Sequence, residues 1–240
     1  MFSLFAGLLA STFDFGSPIA SDELSRRCAA VLAWHANRRG LTTAVSGATV
    51  SLATGEVTLR ARVEARQKGD GRMVVSVAVE SSFDGQPAVT VGSVGVGRNE
   101  AEAIETAVQE WGALVAPAVL GAVVTDRPDS ERYVVDGYVA YPGATGFRGA
   151  SPAWGAPEHQ RLLTSLRRAL PVPVPGRLRA LTLTVMVETG QPPQGEVRFD
   201  GVVAPMLWST VQMFEWPPAK TGYIFKQFYM LAPESQRPVA

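Results

Sequence analysis

Glu56-Val57-Thr58-Leu59-Arg60-Ala61-Arg62-Val63-Glu64-Ala65-Arg66 and, six residues on, Arg72-Met73-Val74-Val75-Ser76-Val77-Ala78-Val79 decide the fold class of this chain. In the first run apolar and polar residues alternate, a period of two that puts one face of a strand on a core and leaves the other in water. Met73, Val75, Val77 and Val79 continue the alternation through Arg72–Phe83. The link Lys68-Gly69-Asp70-Gly71 contains Asp-Gly, a dipeptide that tolerates the positive φ of a tight hairpin. A second Asp-Gly at Asp84-Gly85 leads into Pro87–Val94, so the three runs form an antiparallel meander.

Helices flank the meander. Ser21 caps one over about Asp22–Arg39, with Asp22 and Glu23 in its first turn, Arg38 and Arg39 in its last, and Gly40 as its stop. Its apolar stripe is Leu24, Cys28, Val31, Leu32 and His35. A second helix opens near Asn99, where Glu102 follows at capping-box spacing, buries Ile104, Val108, Trp111 and Val115, and bends or ends at Pro117.

Beyond Thr125–Ser130, a candidate boundary, the pattern predicts a strand over Arg132–Tyr141 and a Gly/Ala/Pro-rich loop over Pro142–Pro157 carrying Phe147 and Trp154. A helix over Glu158–Leu170 and an extended linker Pro171–Gly176 follow. Next come a strand through Leu181–Val187, another through Val197–Val203, and a short helix over Met206–Phe214. The loop Glu215-Trp216-Pro217-Pro218 leads to a last strand, Tyr223–Leu231, apolar on both faces, which suits a central strand. Runs of strands interrupted by a few helices are an α+β arrangement: antiparallel sheets of meanders and hairpins packed against several helices. Residues 21–232 read as one domain with a possible subdivision near 126–130, preceded by an amphipathic segment at 1–20 and followed by a tail at 233–240.

The meander Val57–Arg66, the stretch Val94-Gly95-Val96-Gly97-Arg98-Asn99-Glu100-Ala101 and the closing Glu215-Trp216-Pro217-Pro218…Gly222-Tyr223 together resemble a bacterial family known only as a domain of unknown function. The likeness runs over roughly residues 20 to 232 and rests on hydrophobic and turn positions. It implies a bacterial α+β protein and carries over no functional residue.

Composition narrows the function classes. Basic and acidic residues balance at 22 each, without the basic excess that phosphate-backbone binding needs; nucleic acid is not an expected partner. Cys28 is the single cysteine, which fits a reducing, cytoplasmic setting. The start, Met1–Ala10, is apolar but has no Lys or Arg before Arg26, unlike a secretory signal. The uncharged run Trp111–Thr125 falls short of the ~20 residues of a membrane span.

Candidate chemistry is thin. Gly92-Ser93-Val94-Gly95-Val96-Gly97-Arg98 precedes a helix but matches neither phosphate-loop spacing, so its glycines suit strand packing and the turn. Cys28 and His35 share a helix face about 10 Å apart, too far for one ion, and the chain lacks ligands for a Cys/His zinc site. His159, beside Glu158 in a first helical turn, reads as a surface residue. Glu188 with Glu196, or Asp136 with Asp200, could meet across strands, and solvated charges explain them equally well. No cofactor is expected. What remains is aromatic: Phe147 and Trp154 in a long loop and Trp216 braced by Pro217 and Pro218. Such rings serve either as protein-binding anchors or as lids over the core. The reading is a non-enzymatic protein-interaction module of inhibitor, immunity or adaptor type. The alternative is a small-molecule-binding or hydrolytic enzyme with scattered pocket residues.

Overall fold

In a computed structural model, residues 21–84, 86–124, 131–218 and 221–234 are described. The segment 1–20, Gly85, the candidate boundary 125–130 and residues 235–240 lie outside the described residues. The architecture is α+β, with two antiparallel sheets and packed helices. The described residues form two compact units: one holds Ser21–Ser81 with Gly92–Gly112, the other Ser82–Val91 with the described residues from Ala113 to Glu234.

The first unit holds most of the expected meander, which is longer than expected. Strands β1 (Ala44–Ser46), β2 (Thr49–Leu52), β3 (Gly55–Gly69), β4 (Arg72–Phe83) and β5 (Gln86–Gly97) run in chain order through a five-stranded sheet. Asp70 and Gly71 make the β3–β4 turn with φ of 49° and 71°, the left-handed pair that a two-residue hairpin requires. Helix α1 (Ser21–Arg38) packs on β3. Its buried face carries Leu24, Ser25, Cys28, Ala29, Leu32, Ala33 and Ala36. That face is rotated from the expected stripe toward small residues, and Val31 and His35 are half-buried. The small side chains allow a close approach that Ser25 uses: its Oγ donates to Ser21 O (2.6 Å) and accepts from the Ala61 N–H of β3 (2.8 Å). Ala61 lies past the end of the β2–β3 pairing, which stops at Thr58, so the serine satisfies a strand donor that would otherwise be buried unpaired.

Helix α2 (Glu100–Leu114) opens as its sequence suggests. Asn99 Oδ1 accepts from Glu102 N (2.9 Å), while the Glu102 carboxylate reaches back to Arg98 N (2.9 Å) rather than to Asn99. The glycines before it are packing residues: they lie inside β5, and a Cβ on Gly95 would run into the Ala103 carbonyl and Ala107 N of α2. No phosphate-cradling loop forms there. The helix ends at Leu114, and Pro117 lies in the first turn of α3 (Ala116–Val123). Among the described residues this 100–123 stretch alone is long and apolar enough to cross a membrane, and many of its apolar side chains are buried in the protein.

In the second unit several expected elements are subdivided. The strand expected over Arg132–Tyr141 is a hairpin, β6 (Tyr133–Val135) and β7 (Tyr138–Pro142), turning at Asp136-Gly137 with φ of 46° and 79°. The expected 142–157 loop contains a strand, β8 (Gly146–Gly149), and helix α4 is Ala156–Leu166. Beyond β9 (Arg179–Val187), the expected strand through Val203 breaks at Asp200-Gly201, φ 50° and 79°, into β10 (Gln194–Phe199) and β11 (Val202–Val203). Helix α5 (Pro205–Gln212) and strand β12 (Tyr223–Pro233) complete the chain. The sheet order is β11-β10-β9-β12-β7-β6, with β8 also on β12. Strand β12 is therefore central, as its two-sided apolarity suggests. Its residues Tyr223, Phe225, Tyr229 and Leu231 join the core with Leu162, Leu163 and Leu166 of α4 and Leu207 and Val211 of α5. On its other face Met230 is buried opposite Tyr141 of β7, whose ring lies against Gly121 of α3.

The close β5–α2 contact predicts the effect of adding one methyl group. Gly95→Ala should destabilise the protein by about 2 kcal/mol or more, because a backbone carbonyl cannot move aside as a side chain can. Gly69→Ala, with open space around it, should stay within about 0.5 kcal/mol. Urea titrations of the two variants check the difference.

Candidate functional site

Strand β12 changes neighbours halfway along. Tyr223–Lys226 pair with β8 and Tyr229–Pro233 with β7, while β9 lines the opposite edge from Tyr223 to Leu231. Between the two partners the chain runs through Gly143-Ala144-Thr145. Gly143 N donates to Phe228 O (2.8 Å), and the buried Gln227 side chain closes the rest of the gap. Its amide nitrogen donates to Gly143 O (3.0 Å) and Phe228 O (2.9 Å), and its oxygen accepts from Thr145 Oγ1 (2.6 Å). No Cβ fits at Gly143, which lies against the Leu114 carbonyl.

His159 stands next in this chain of contacts. It projects from the first turn of α4 and is 5% exposed, so the surface reading is corrected. It precedes Leu162 and Leu163 by three and four residues, which phases it onto the same buried face. Its Nδ1 lies 2.6 Å from the Tyr229 hydroxyl. Its Nε2 accepts from the Trp154 indole N–H (3.2 Å) and lies 3.4 Å from Thr145 Oγ1. Because the indole can only donate and the Thr145 proton goes to Gln227, Nε2 must carry a lone pair. The imidazole is therefore the neutral Nδ1–H tautomer, donating to Tyr229. Burial holds its pKa below the ordinary histidine value, against the opposing pull of Glu131 and Glu158. Tyr133 of β6 stacks on the ring at 5.3 Å and gives its hydroxyl proton to Glu131. Burial, reinforced by Glu131, raises the Tyr133 pKa, and burial chiefly raises that of Tyr229.

The aromatic residues singled out in the sequence meet above this network. Trp154 stacks on Trp216 with centroids 5.8 Å apart and planes at 17°, and its ring lies 4.4 Å from that of Phe225. Phe147 of β8 faces Phe225 across the β8–β12 ladder and touches Tyr223 edge-on. Phe214 meets Trp216 at 5.1 Å, nearly perpendicular. Trp216 Nε1 donates to Val211 O (3.1 Å), and the Tyr223 hydroxyl donates to Pro217 O (2.9 Å), tying the Trp216-Pro217-Pro218 loop to α5 and β12. Phe147, Trp154 and Trp216 are half-buried against the core. They are lids whose outer edges still reach solvent.

The other candidates do not assemble into chemistry. Asp136 and Asp200 sit in separate turns, and Asp200 accepts from Ala180 N and pairs with Arg179 at 2.7 Å. Glu196 pairs with Arg198 at 2.7 Å. The Cys28 thiol is buried and pushed up to about 12, so it is not a thiolate nucleophile. His35 is also held low, by burial and by Arg39 and Arg38. No cluster of three or more metal-ligating side chains occurs among the described residues.

A family of unknown function, DUF6348, matches residues 46–233. The chain belongs to that family. Neither a curated protein nor a solved structure matches it. The matched span contains the β12 junction, the His159 network and the aromatic lid, and no activity follows from membership.

One apolar surface escaped the sequence reading. On β11, an edge strand, Val202 and Val203 are 70% and 50% exposed; Met206 in the first turn of α5 and Met213 just past its end are 76% and 80% exposed. Their exposure follows from position: Leu207 and Val211 take the inward face of α5, and the two methionines, seven residues apart, share an outer face.

The depressed histidines set the acid response of the fold. A histidine whose folded pKa lies below its unfolded value of 6.5 takes up protons first in the unfolded chain, so stability is complete above about pH 7 and falls as pH drops below 6.5. His159 and His35 act in the same direction. Urea midpoints should decline between pH 7.5 and 5, and His159→Gln should flatten that decline while lowering the midpoint at pH 7.5.

Proposed function

We propose that this protein is a non-enzymatic protein-interaction module whose partner-facing surface is the sheet edge formed by β11 and α5, bordered by the Trp216-Pro217-Pro218 loop. The observation that carries this reading is the exposure of four large apolar side chains close together in the chain, Val202 and Val203 on β11, Met206 on α5 and Met213 at its C-cap. Exposed apolar side chains grouped along one stretch of chain point to an interaction site, an edge strand offers backbone donors and acceptors, and exposed methionines adapt to a partner's contour. The aromatic lid supports it from behind. Trp216 hydrogen-bonds to the last turn of α5 and stacks on Trp154, so the loop after the helix is presented in one conformation, which lowers the ordering cost of binding. In this reading Phe147 and Trp154 brace the surface from below, and Trp216, Pro217 and Pro218 form its rim. The enzyme alternative finds less support. The polar network around His159 is buried, and both of its imidazole nitrogens are engaged.

Met206→Asp with Met213→Asp should leave folding stability within about 0.5 kcal/mol per site, since both side chains are solvent-exposed. Binding to a partner captured by the wild-type chain should weaken by about 2 kcal/mol or more, roughly 30-fold. Titration calorimetry with that partner reads the difference, and equal affinity for the double variant would contradict the assignment.

A further inference from the structure

We propose that Trp154 is a proton-gated latch: uptake of a proton at His159 Nε2 breaks the indole–imidazole hydrogen bond and releases Trp154 from its stack on Trp216. The inference is independent of any partner and rests on the hydrogen-bond arithmetic of one side chain. In the neutral state Nε2 offers a single lone pair, and the Trp154 N–H uses it at 3.2 Å. An indole has no acceptor to offer in return. Once Nε2 bears a proton, two donors face each other, and that contact becomes repulsive.

The new proton has another place to go. Thr145 Oγ1 lies 3.4 Å from Nε2 and, while it donates to Gln227 Oε1, keeps lone pairs free to accept. A small rotation of the imidazolium toward Thr145 satisfies Nε2–H without disturbing the Nδ1–H donated to Tyr229 at 2.6 Å. Protonation therefore keeps two contacts of His159 and removes one, the contact with Trp154. The proton comes from solvent and adds to a lone pair; no other bond is made or broken.

The groups facing His159 set the direction in which its midpoint is displaced. From β6 and the residues before it come Tyr133 and the Glu131 carboxylate, from β12 the Tyr229 hydroxyl, and from the segment before β8 the uncharged Thr145. From α4 itself come Glu158 and its ion-pair partner Arg161. Glu131 and Glu158 favour the imidazolium, while burial opposes it more strongly. The midpoint accordingly lies below the ordinary value of about 6.5. Trp154 is half-buried and its segment, Ser151–Gly155, belongs to no helix or strand ladder until α4 begins, so the ring can move without breaking a sheet. What it uncovers is the face of Trp216 and the edge of Phe225, which it now covers at 5.8 and 4.4 Å.

The test is 19F NMR of the full chain labelled with 5-fluorotryptophan, titrated from pH 7.5 to 5, with resonances assigned by Trp154→Phe and Trp216→Phe. The chain has five tryptophans. Those of Trp154 and Trp216 should shift together with one midpoint below about 6.5, while Trp111, Trp208 and the far-UV circular dichroism hold steady; Trp34, edge-on to His35 at 4.7 Å, reports that histidine separately. His159→Gln should abolish the paired shift. Should that variant fail to fold, Glu131→Gln, a change at an exposed residue, should move the midpoint to lower pH. Flat resonances for Trp154 and Trp216 would overturn the latch. So would a shift that survives in His159→Gln, an unmoved midpoint in Glu131→Gln, or a shift that appears only as circular dichroism is lost.

Discussion

A central strand has to be hydrogen-bonded along both edges, and β12 meets that demand with two different neighbours on one of them. Between the last residue paired to β8 and the first paired to β7, Gln227 and Phe228 have no strand on that edge, while β9 pairs with them on the other. Buried backbone groups left there would each cost about 1–3 kcal/mol. The Gln227 amide and the Gly143 N–H take their place. A glutamine in the middle of Tyr223–Leu231 is thus a structural device. A hydrocarbon of the same size would pack but would leave the Gly143 carbonyl and the Thr145 hydroxyl without these partners.

From that junction the rest of the second unit follows in order. Closing the gap brings Thr145 onto the Gln227 oxygen, and the threonine then spends its proton there. That leaves His159 Nε2 to accept from Trp154, which fixes the indole over Phe225 and against Trp216. Trp216 in turn is tied to the last turn of α5. A hydrogen-bonded path thus leads from the centre of the sheet to the aromatic lid, and stacking carries it on to the helix with the exposed methionines. Such a path is cooperative in the sense that each member's donor or acceptor role is set by its neighbour. The lid therefore responds to the protonation state of one buried ring.

The parts of this fold that were legible in the sequence are those in which a local pattern has one physical meaning. Strict alternation across Val57–Ala65 and an Asp-Gly pair gave β3, β4 and their turn, and Asn99 with Glu102 gave the start of α2. The same Asp-Gly signal stood at 136–137 and 200–201 and was absorbed into longer strand readings, because apolar β-forming residues flank both turns. Strands β1 and β2 span only three and four residues, too short for a period to stand out, and β8 is half glycine. His159 was readable from its phase with Leu162, Leu163 and Leu166 but was obscured by its neighbour Glu158. The tryptophans stand out in the sequence by their place in Gly- and Pro-rich loops, and their mutual stacking does not, since it depends on a β8–β12 ladder joining residues nearly eighty positions apart in sequence. Exposure of Met206 and Met213 depends on which side of an eight-residue helix meets the sheet, and a helix that short sets no phase of its own.

The tautomer of His159 tests this account most directly, because it is the point where the β12 junction and the aromatic lid impose the same requirement from opposite sides. Nitrogen-15 NMR of the imidazole at pH 7.5, with His159 distinguished from His35 by substitution, reads it without disturbing the fold. The account predicts a proton on Nδ1 and an unprotonated, hydrogen-bonded Nε2. A ring protonated at Nε2, whether as the other neutral tautomer or as imidazolium, would contradict it, because neither can accept from Trp154.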